Sequence, residues 1–275
     1  MEGTQAIGRA AALLRVVSAA ADGVSTAQAA RLTGTARTTA HRILSALQES
    51  GLLDRDRTTG TWHPGPEMFL MGTLAARRYD FVETARPAVR ALADETGESA
   101  FLSLRRGDES VCVLREEGSF PLRSFVLQEG TRFPLGVASG GLALLSFLPD
   151  READAYLERA ELVPQWGEEH SAERIRERVR RTRTAGYATN PALVLEGSWG
   201  MAAAVFDQHG RPAWAVSITG VETRFRAERR PHLGQLLLRT AHRLSAQNRL
   251  PQPGGGVIHV SPPPGDVTDR SAGRS

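Results

Sequence analysis

Between residues 5 and 21 the apolar positions Ile7, Ala10, Leu14, Val17 and Ala21 recur at steps of three and four, which predicts a helix with one buried face. Asp22-Gly23 breaks that pattern. Ser25 and Gln28 then have the spacing of a capping box and open a short helix to about Thr33. Gly34 turns the chain into TARTTAHRILSALQESG, residues 35–51, a third helix with Thr35 as its cap and Gly51 as its left-handed stop. Ala40, Ile43, Leu44 and Leu47 fall on the inner face of this helix, and Arg37, Thr38, Thr39, His41 and Arg42 fall outside. Residues 52–55 and 61–63 flank the turn-rich segment 56–60, the pattern of a two-stranded wing. Residues 1–65 therefore predict a winged helix-turn-helix.

Pro64-Gly65-Pro66 separates this unit from the rest, and Pro66 suits the first turn of a linker helix over 66–79 carrying Met68, Phe69, Met71 and Leu74. A second domain is predicted over 80–250. It opens on a helix from Asp80 to Glu95, with Val82, Ala85, Val89 and Leu92 on one side and a break or kink at Pro87. Residues 100–104 and 110–114 read as a β-hairpin, and 122–127 (LRSFVL) as a further strand. The segment 133–141 (FPLGVASGG) leads into an apolar helix, followed by a polar helical region at 150–160. Next comes a helix over 171–186 with Ile175, Val179 and Thr182 inward. Strands at 201–206 and 212–219 and a last helix from His232 to about Leu250 complete an α+β chain. Residues 251–275, rich in Pro and Gly, predict a disordered tail.

A length of 275 residues suits two modest domains. The formal net charge is only +3, and every one of the 34 basic residues is Arg, so overall charge supports an anionic partner weakly and its location matters more. The six arginines between 174 and 183 alternate with Glu173 and Glu177, as on a solvated helix. The outer face of the third helix is different. Arg can bond a guanine edge twice, and Thr can hold a phosphate or touch a thymine methyl. Arg55 and Arg57 in the wing are candidates for phosphate or minor-groove contact, with plain solvated arginines as the alternative. Double-stranded DNA is the partner this face predicts, with Thr35 at the start of the helix counted among its contacts.

Other chemistry finds little support. Cys112 stands alone in an apolar stretch, so neither a disulfide framework nor a Cys clip for metal is expected. There is no GxSxG, HExxH or Walker loop, and no GxGxxG opening a helix; the seven histidines are scattered. Neither catalysis nor a metal or cofactor is expected. No apolar run approaches the roughly 18 residues of a membrane span, and a cytoplasmic protein is predicted.

The stretch from Ile7 to Asp56, the later PLGVASGGLALLSFLP and AGYATNP, and GSWGMAAAVFDQHGRPAWAVSITG together resemble the IclR family of bacterial transcriptional regulators, in order and over nearly the whole chain to about residue 250. The resemblance implies a winged helix on operator DNA, a linker helix, and a GAF-like α/β domain that binds a small effector and supports a homodimer or homotetramer. It implies that Ser139 and Gly140 lie at the mouth of the effector pocket and that Leu122 and Phe125 line it. It also brings in Asn190, Ser198, Gly200, Ser217 and Thr219. Ser217 and Thr219, two apart, share one face of a strand, where they bond either a ligand or a neighbour. The chain departs from the family pattern at residues 190–193 (NPAL), where many members carry an acidic cluster. It departs again near Gly200, often a Cys, and at Ala204, where Pro is usual. A different function remains as the alternative: a small-molecule sensor acting through a protein partner, with the winged helix used for dimerisation.

Overall fold

The computed structural model describes residues 2–76, 80–122 and 125–248. Three helices, α1 (Glu2–Ala19), α2 (Thr26–Leu32) and α3 (Arg37–Glu49), and the hairpin β1 (Leu53–Arg55) and β2 (Trp62–Pro64) form the first unit. Its core gathers Leu13, Val17, Val24, Ala29, Ala30, Ala40, Leu44, Leu53 and Trp62. Trp62 holds the elements together. It is fully buried, its indole N–H donates to the Thr26 hydroxyl at 2.9 Å, and its backbone pairs with Val24 in both directions. The wing strand is thereby tied to the α1–α2 turn.

The capping box at Ser25 is present: the Ser25 hydroxyl accepts from Gln28 N–H, and the Gln28 side chain accepts from Ser25 N–H. Two local expectations fail. The buried seam of α1 runs through Leu13 and Val17, while Ile7 is 73% exposed and the helix ends at Ala19. Thr35 does not cap α3; Ala36 occupies that position without a side-chain bond, and the Thr35 hydroxyl accepts from Thr33 inside the turn. The Thr33 hydroxyl, close by on the last turn of α2, draws it there.

After α4 (Pro66–Ala76), α5 (Asp80–Thr96) begins the second unit; residues 77–79 of the expected linker lie outside the described residues. Pro87 does not interrupt α5, because Phe81, Ala85, Ala88, Val89 and Leu92 hold one continuous face against the sheet. That sheet is antiparallel throughout, in the order β5-β4-β3-β8-β7-β6. Its strands are β3 (Ser99–Arg106), β4 (Glu109–Glu116), β5 (Arg132–Pro134), β6 (Ala188–Pro191), β7 (Ser198–Phe206) and β8 (Pro212–Val221). α5 and α10 (Arg230–Asn248) cover one face through Leu233, Leu237 and Leu244. α6 (Ser139–Ser146), α7 (Asp150–Arg159) and α9 (Ala172–Ala185) cover the other, with the single-turn α8 (Val163–Trp166) between the last two. The protein is a mixed α+β chain with a helix-turn-helix and wing followed by an α/β domain.

The strand expected over 122–127 is absent from the described residues of that segment. Instead the chain returns to β4 through Cys112 N–H to Thr131 and Gly130 N–H to Cys112, and the short β5 takes the sheet edge. The expected tail over 251–275 lies outside the described residues. None of the described helices is long and apolar enough to cross a membrane.

Candidate functional site

Ala40 and Leu44 pin α3 to the core, and this orientation leaves Arg37, Thr38, His41 and Arg42 exposed and Thr39 half-buried. The His41 ring stands edge-on to Trp62 at 6.3 Å, and the Arg55 guanidinium lies 5.3 Å from the same indole. Trp62 thus sets α3 and the wing in a fixed relation. Arg57 is exposed in the wing turn. Asp56 accepts from Thr59 and Thr58 N–H at 3.1 and 2.6 Å, which holds its carboxyl below the usual range and engages it within its own turn.

The described arginines of this face are free of ion pairs. Among the described residues, Arg37, Arg42, Arg55 and Arg57 have no carboxylate within 4 Å, whereas arginines of the second unit pair repeatedly. Examples there are Arg86 with Glu83 and Glu116, Arg159 with Asp108, Arg176 with Asp154, and Arg224 and Arg229 with buried Glu98. The exposed face of α3 and the wing therefore presents cationic groups whose hydrogen bonds are open to an anionic partner.

The second candidate site lies where α6 meets the sheet. Asn190, Gly200 and Thr219 stand side by side across β6, β7 and β8, and Ser217 follows two residues along β8. Ser139, the first residue of α6, packs over them: a Cβ built at Gly200 would stand 2.9 Å from its hydroxyl. Here only glycine leaves the ordinary van der Waals distance. The Ser217 and Thr219 hydroxyls are buried and have no protein partner. Asn190 is engaged already, donating to the Val137 carbonyl at 2.7 Å and accepting from Leu193 N–H at 3.1 Å. It clamps the loop before α6 to the turn after β6. On the far side of Val137, burial lowers the pKa of His170, whose Nδ1 lies 2.8 Å from the Trp166 carbonyl.

Of the residues expected from the sequence, Ser139, Gly140, Asn190, Ser198, Gly200, Ser217 and Thr219 lie together around this region. Leu122 and Phe125 do not belong to it. They are 63% and 67% exposed, because the segment forms no strand among the described residues; Val126 and Leu127 line the pocket instead. Ser103 and Ser110 were missed, although Ser103, a lone Ser amid apolar neighbours in its strand, was a readable signal. The space is small, two adjoining cavities of about 20 and 30 Å³ that share Val126, Ala138, Ser139 and Thr219. Each is large enough to hold a water. No charged side chain lines either cavity, and among the described residues no group of three or more His, Cys, Asp or Glu could hold a metal.

Comparison with known proteins covers both units. Residues 73–246 match the bacterial transcriptional regulator IclR C-terminal family, and residues 6–57 match the IclR helix-turn-helix domain. The chain is 30% identical over 215 residues to the HTH-type transcriptional regulator KipR of Bacillus subtilis, covering 78% of this chain and 85% of that protein. It is 30% identical over 245 residues to the HTH-type transcriptional regulator BhcR of Paracoccus denitrificans, 88% of this chain and 87% of that one. In fold it is similar to an IclR transcriptional regulator of Alicyclobacillus acidocaldarius, with a TM-score of 0.73, 21% identity, and coverage of 89% of this chain and 98% of that chain.

Proposed function

Since the chain belongs to the IclR family of bacterial transcriptional regulators, proteins that bind DNA and carry an effector domain rather than enzymes, we propose how its particular residues do this work. Arg37, Thr38, Thr39, His41 and Arg42 contact both base edges and phosphates of operator DNA from α3 in the major groove, with Arg55 and Arg57 of the wing on adjacent phosphates. The observation that carries this reading is that the exposed arginines of α3 and the wing, Arg37, Arg42, Arg55 and Arg57, have no carboxylate partner among the described residues, while His41 and Arg55 join the two elements around Trp62. α3 also begins without a side-chain cap, so its first N–H groups remain available to a phosphate. Thr35, turned into the α2–α3 turn, supports the geometry of that start without touching DNA.

The protein acts as a homodimer or a higher oligomer in the cytoplasm. α4 carries Phe69, Leu70, Met71 and Leu74, each more than half exposed, on one short helix beside the DNA-binding unit. Apolar surface of this kind is covered in a stable oligomer, and a two-fold pair of winged helices requires an operator of near-palindromic half-sites.

The effector binds among Ser139, Gly140, Ser198, Gly200, Ser217 and Thr219, with Asn190 fixing the pocket wall. Two buried hydroxyls without protein partners, and the opening N–H groups of α6 at Ser139 to Gly141, supply donors in a site lined by no charged side chain. This set suits a small oxygen-rich molecule, such as a short organic acid. Entry displaces Val126 or Val194, and that movement is the step through which effector occupancy alters operator affinity.

The direct test is anisotropy titration of DNA from upstream of the protein's own gene. Arg37→Ala and Arg42→Ala should each weaken binding by about 1–3 kcal/mol, the range of a good base contact. Unchanged affinity in both variants contradicts the assignment of α3.

A further inference from the structure

A larger cleft lies elsewhere, at the open edge of the sheet. It measures about 310 Å³ and lies between α9 and β6, lined among others by Arg174, Arg178, Arg181, Tyr187, Thr189 and Leu193. β6 is an edge strand of four residues whose neighbours serve two sites: Asn190 lines the pocket under α6, while Thr189 and Pro191 line this cleft. A volume near 300 Å³ is at the lower end of small-molecule sites.

The charges within it are unequally matched. Glu177 lies against both Arg181 and Arg174, and Glu169 reaches Arg174 at 4.0 Å. Outside the cleft, Arg176 and Arg183 of the same helix meet Asp154 and Asp150. Arg178 has no carboxylate within 4 Å among the described residues. One of its nitrogens donates to the Glu169 carbonyl at 2.8 Å, but Nε and the other terminal nitrogen are buried with no partner. Burial also disfavours its charged form. A guanidinium keeps its charge at any working pH, and two buried N–H donors left unbonded are costly. Nε and the free terminal nitrogen, on opposite edges of the guanidinium, can each give one charge-assisted bond to a carboxylate or phosphate oxygen.

We infer that the cleft between α9 and β6 is a second small-anion site, separate from the pocket under α6, in which Arg178 binds the carboxylate or phosphate of a small organic ligand. Arg174 and Arg181 line the entrance with further positive charge. Leu142, Tyr187 and Leu193 offer an apolar and aromatic wall for the body of the ligand.

The test uses the full chain and two probes, inorganic phosphate and succinate, followed by calorimetric titration. Saturable binding of at least one is expected, and the stronger probe identifies the anion class. Arg178→Gln should weaken it at least about tenfold, the lower range for charge-assisted bonds. Ser217→Ala, in the other pocket, should leave it unchanged. In the unmutated chain, phosphate or succinate should also slow labelling of Arg178 by an arginine-selective dicarbonyl reagent, read by mass spectrometry. This second reading keeps the test informative if the Gln variant folds poorly. Absence of saturable binding with either probe, or protection absent at Arg178, overturns the inference. So does phosphate binding that survives Arg178→Gln or is lost with Ser217→Ala.

Discussion

Asn190→Asp isolates the clamp between the two walls of the proposed effector pocket. Asn190 is 4% exposed, donates to the Val137 carbonyl and accepts from Leu193 N–H, so the substitution keeps shape and changes only a proton and a charge. When protonated, the new carboxyl still has a hydrogen to give Val137. When ionised, it opposes that carbonyl with a negative oxygen in a buried place, helped only by Leu193 N–H. Full burial raises a carboxyl by up to about 3–5 pKa units, and one retained N–H bond reduces this to about 2. The unfolded carboxyl ionises near about 3.9, and each unit of difference is worth about 1.4 kcal/mol, which gives a loss of about 3 kcal/mol. The sign follows from proton counts. Between about pH 4 and about pH 6 the unfolded variant binds fewer protons than the folded one, so stability relative to the parent falls as pH rises. Below that window the two proteins should match, and above about pH 7 the gap should be constant. Scanning calorimetry of both proteins from pH 4.5 to 8 at fixed ionic strength reads the difference. A gap independent of pH, or equal stability at pH 8, refutes the clamp.

Trp62→Ala removes the residue that ties α1, α2 and the wing, and should cost the first unit about 3–5 kcal/mol in urea unfolding; a loss below 1 kcal/mol would show that Trp62 is not central. Gly200→Val places methyl groups against Ser139 and should abolish stabilisation by a small acid whose protection of the parent from heat does not depend on Arg178, while operator affinity is kept. Its own packing cost is about 1–3 kcal/mol, and retained protection by the acid contradicts the pocket assignment. Burial pushes the Cys112 thiol up to about 12, so at pH 8 an aromatic disulfide reagent should label it only after unfolding. Fast labelling of the native protein would contradict that environment.

The helix-turn-helix was legible because its signals are local. A capping box, a glycine turn and a three-to-four apolar period are each readable within a few residues, and Ser25, Gly34, Ala40 and Leu44 carry them. Thr35 shows the limit: a good capping residue was drawn one step away by a hydroxyl on the preceding helix. LRSFVL has the composition of a strand, yet Phe125 is exposed with its ring 5.9 Å from the Arg115 guanidinium, and β5 takes the place at the sheet edge. β6 was hidden by its length of four residues and by Pro191, which an edge strand tolerates. Arg178 was read as one of a solvated series, since spacing along a helix cannot tell which arginine the neighbouring strand will cover. The pocket residues came from resemblance and the structure gathered them, but the engagement of Asn190 with Val137 depends on a loop 53 residues away in sequence.

The central claim is that the unpaired arginines of α3 and the wing face DNA, and the salt dependence of operator binding measures it most directly. Arg37, Arg42, Arg55 and Arg57 from both subunits of a dimer make eight cations. At about 0.9 per phosphate neutralised, they set a slope of log affinity against log salt of up to about −7. Removing the wing pair by Arg55→Ala and Arg57→Ala should reduce it to about −4, and removing all four should leave only weak, nearly salt-independent binding. A slope and affinity that stay at the parent value when all four are replaced would contradict the account.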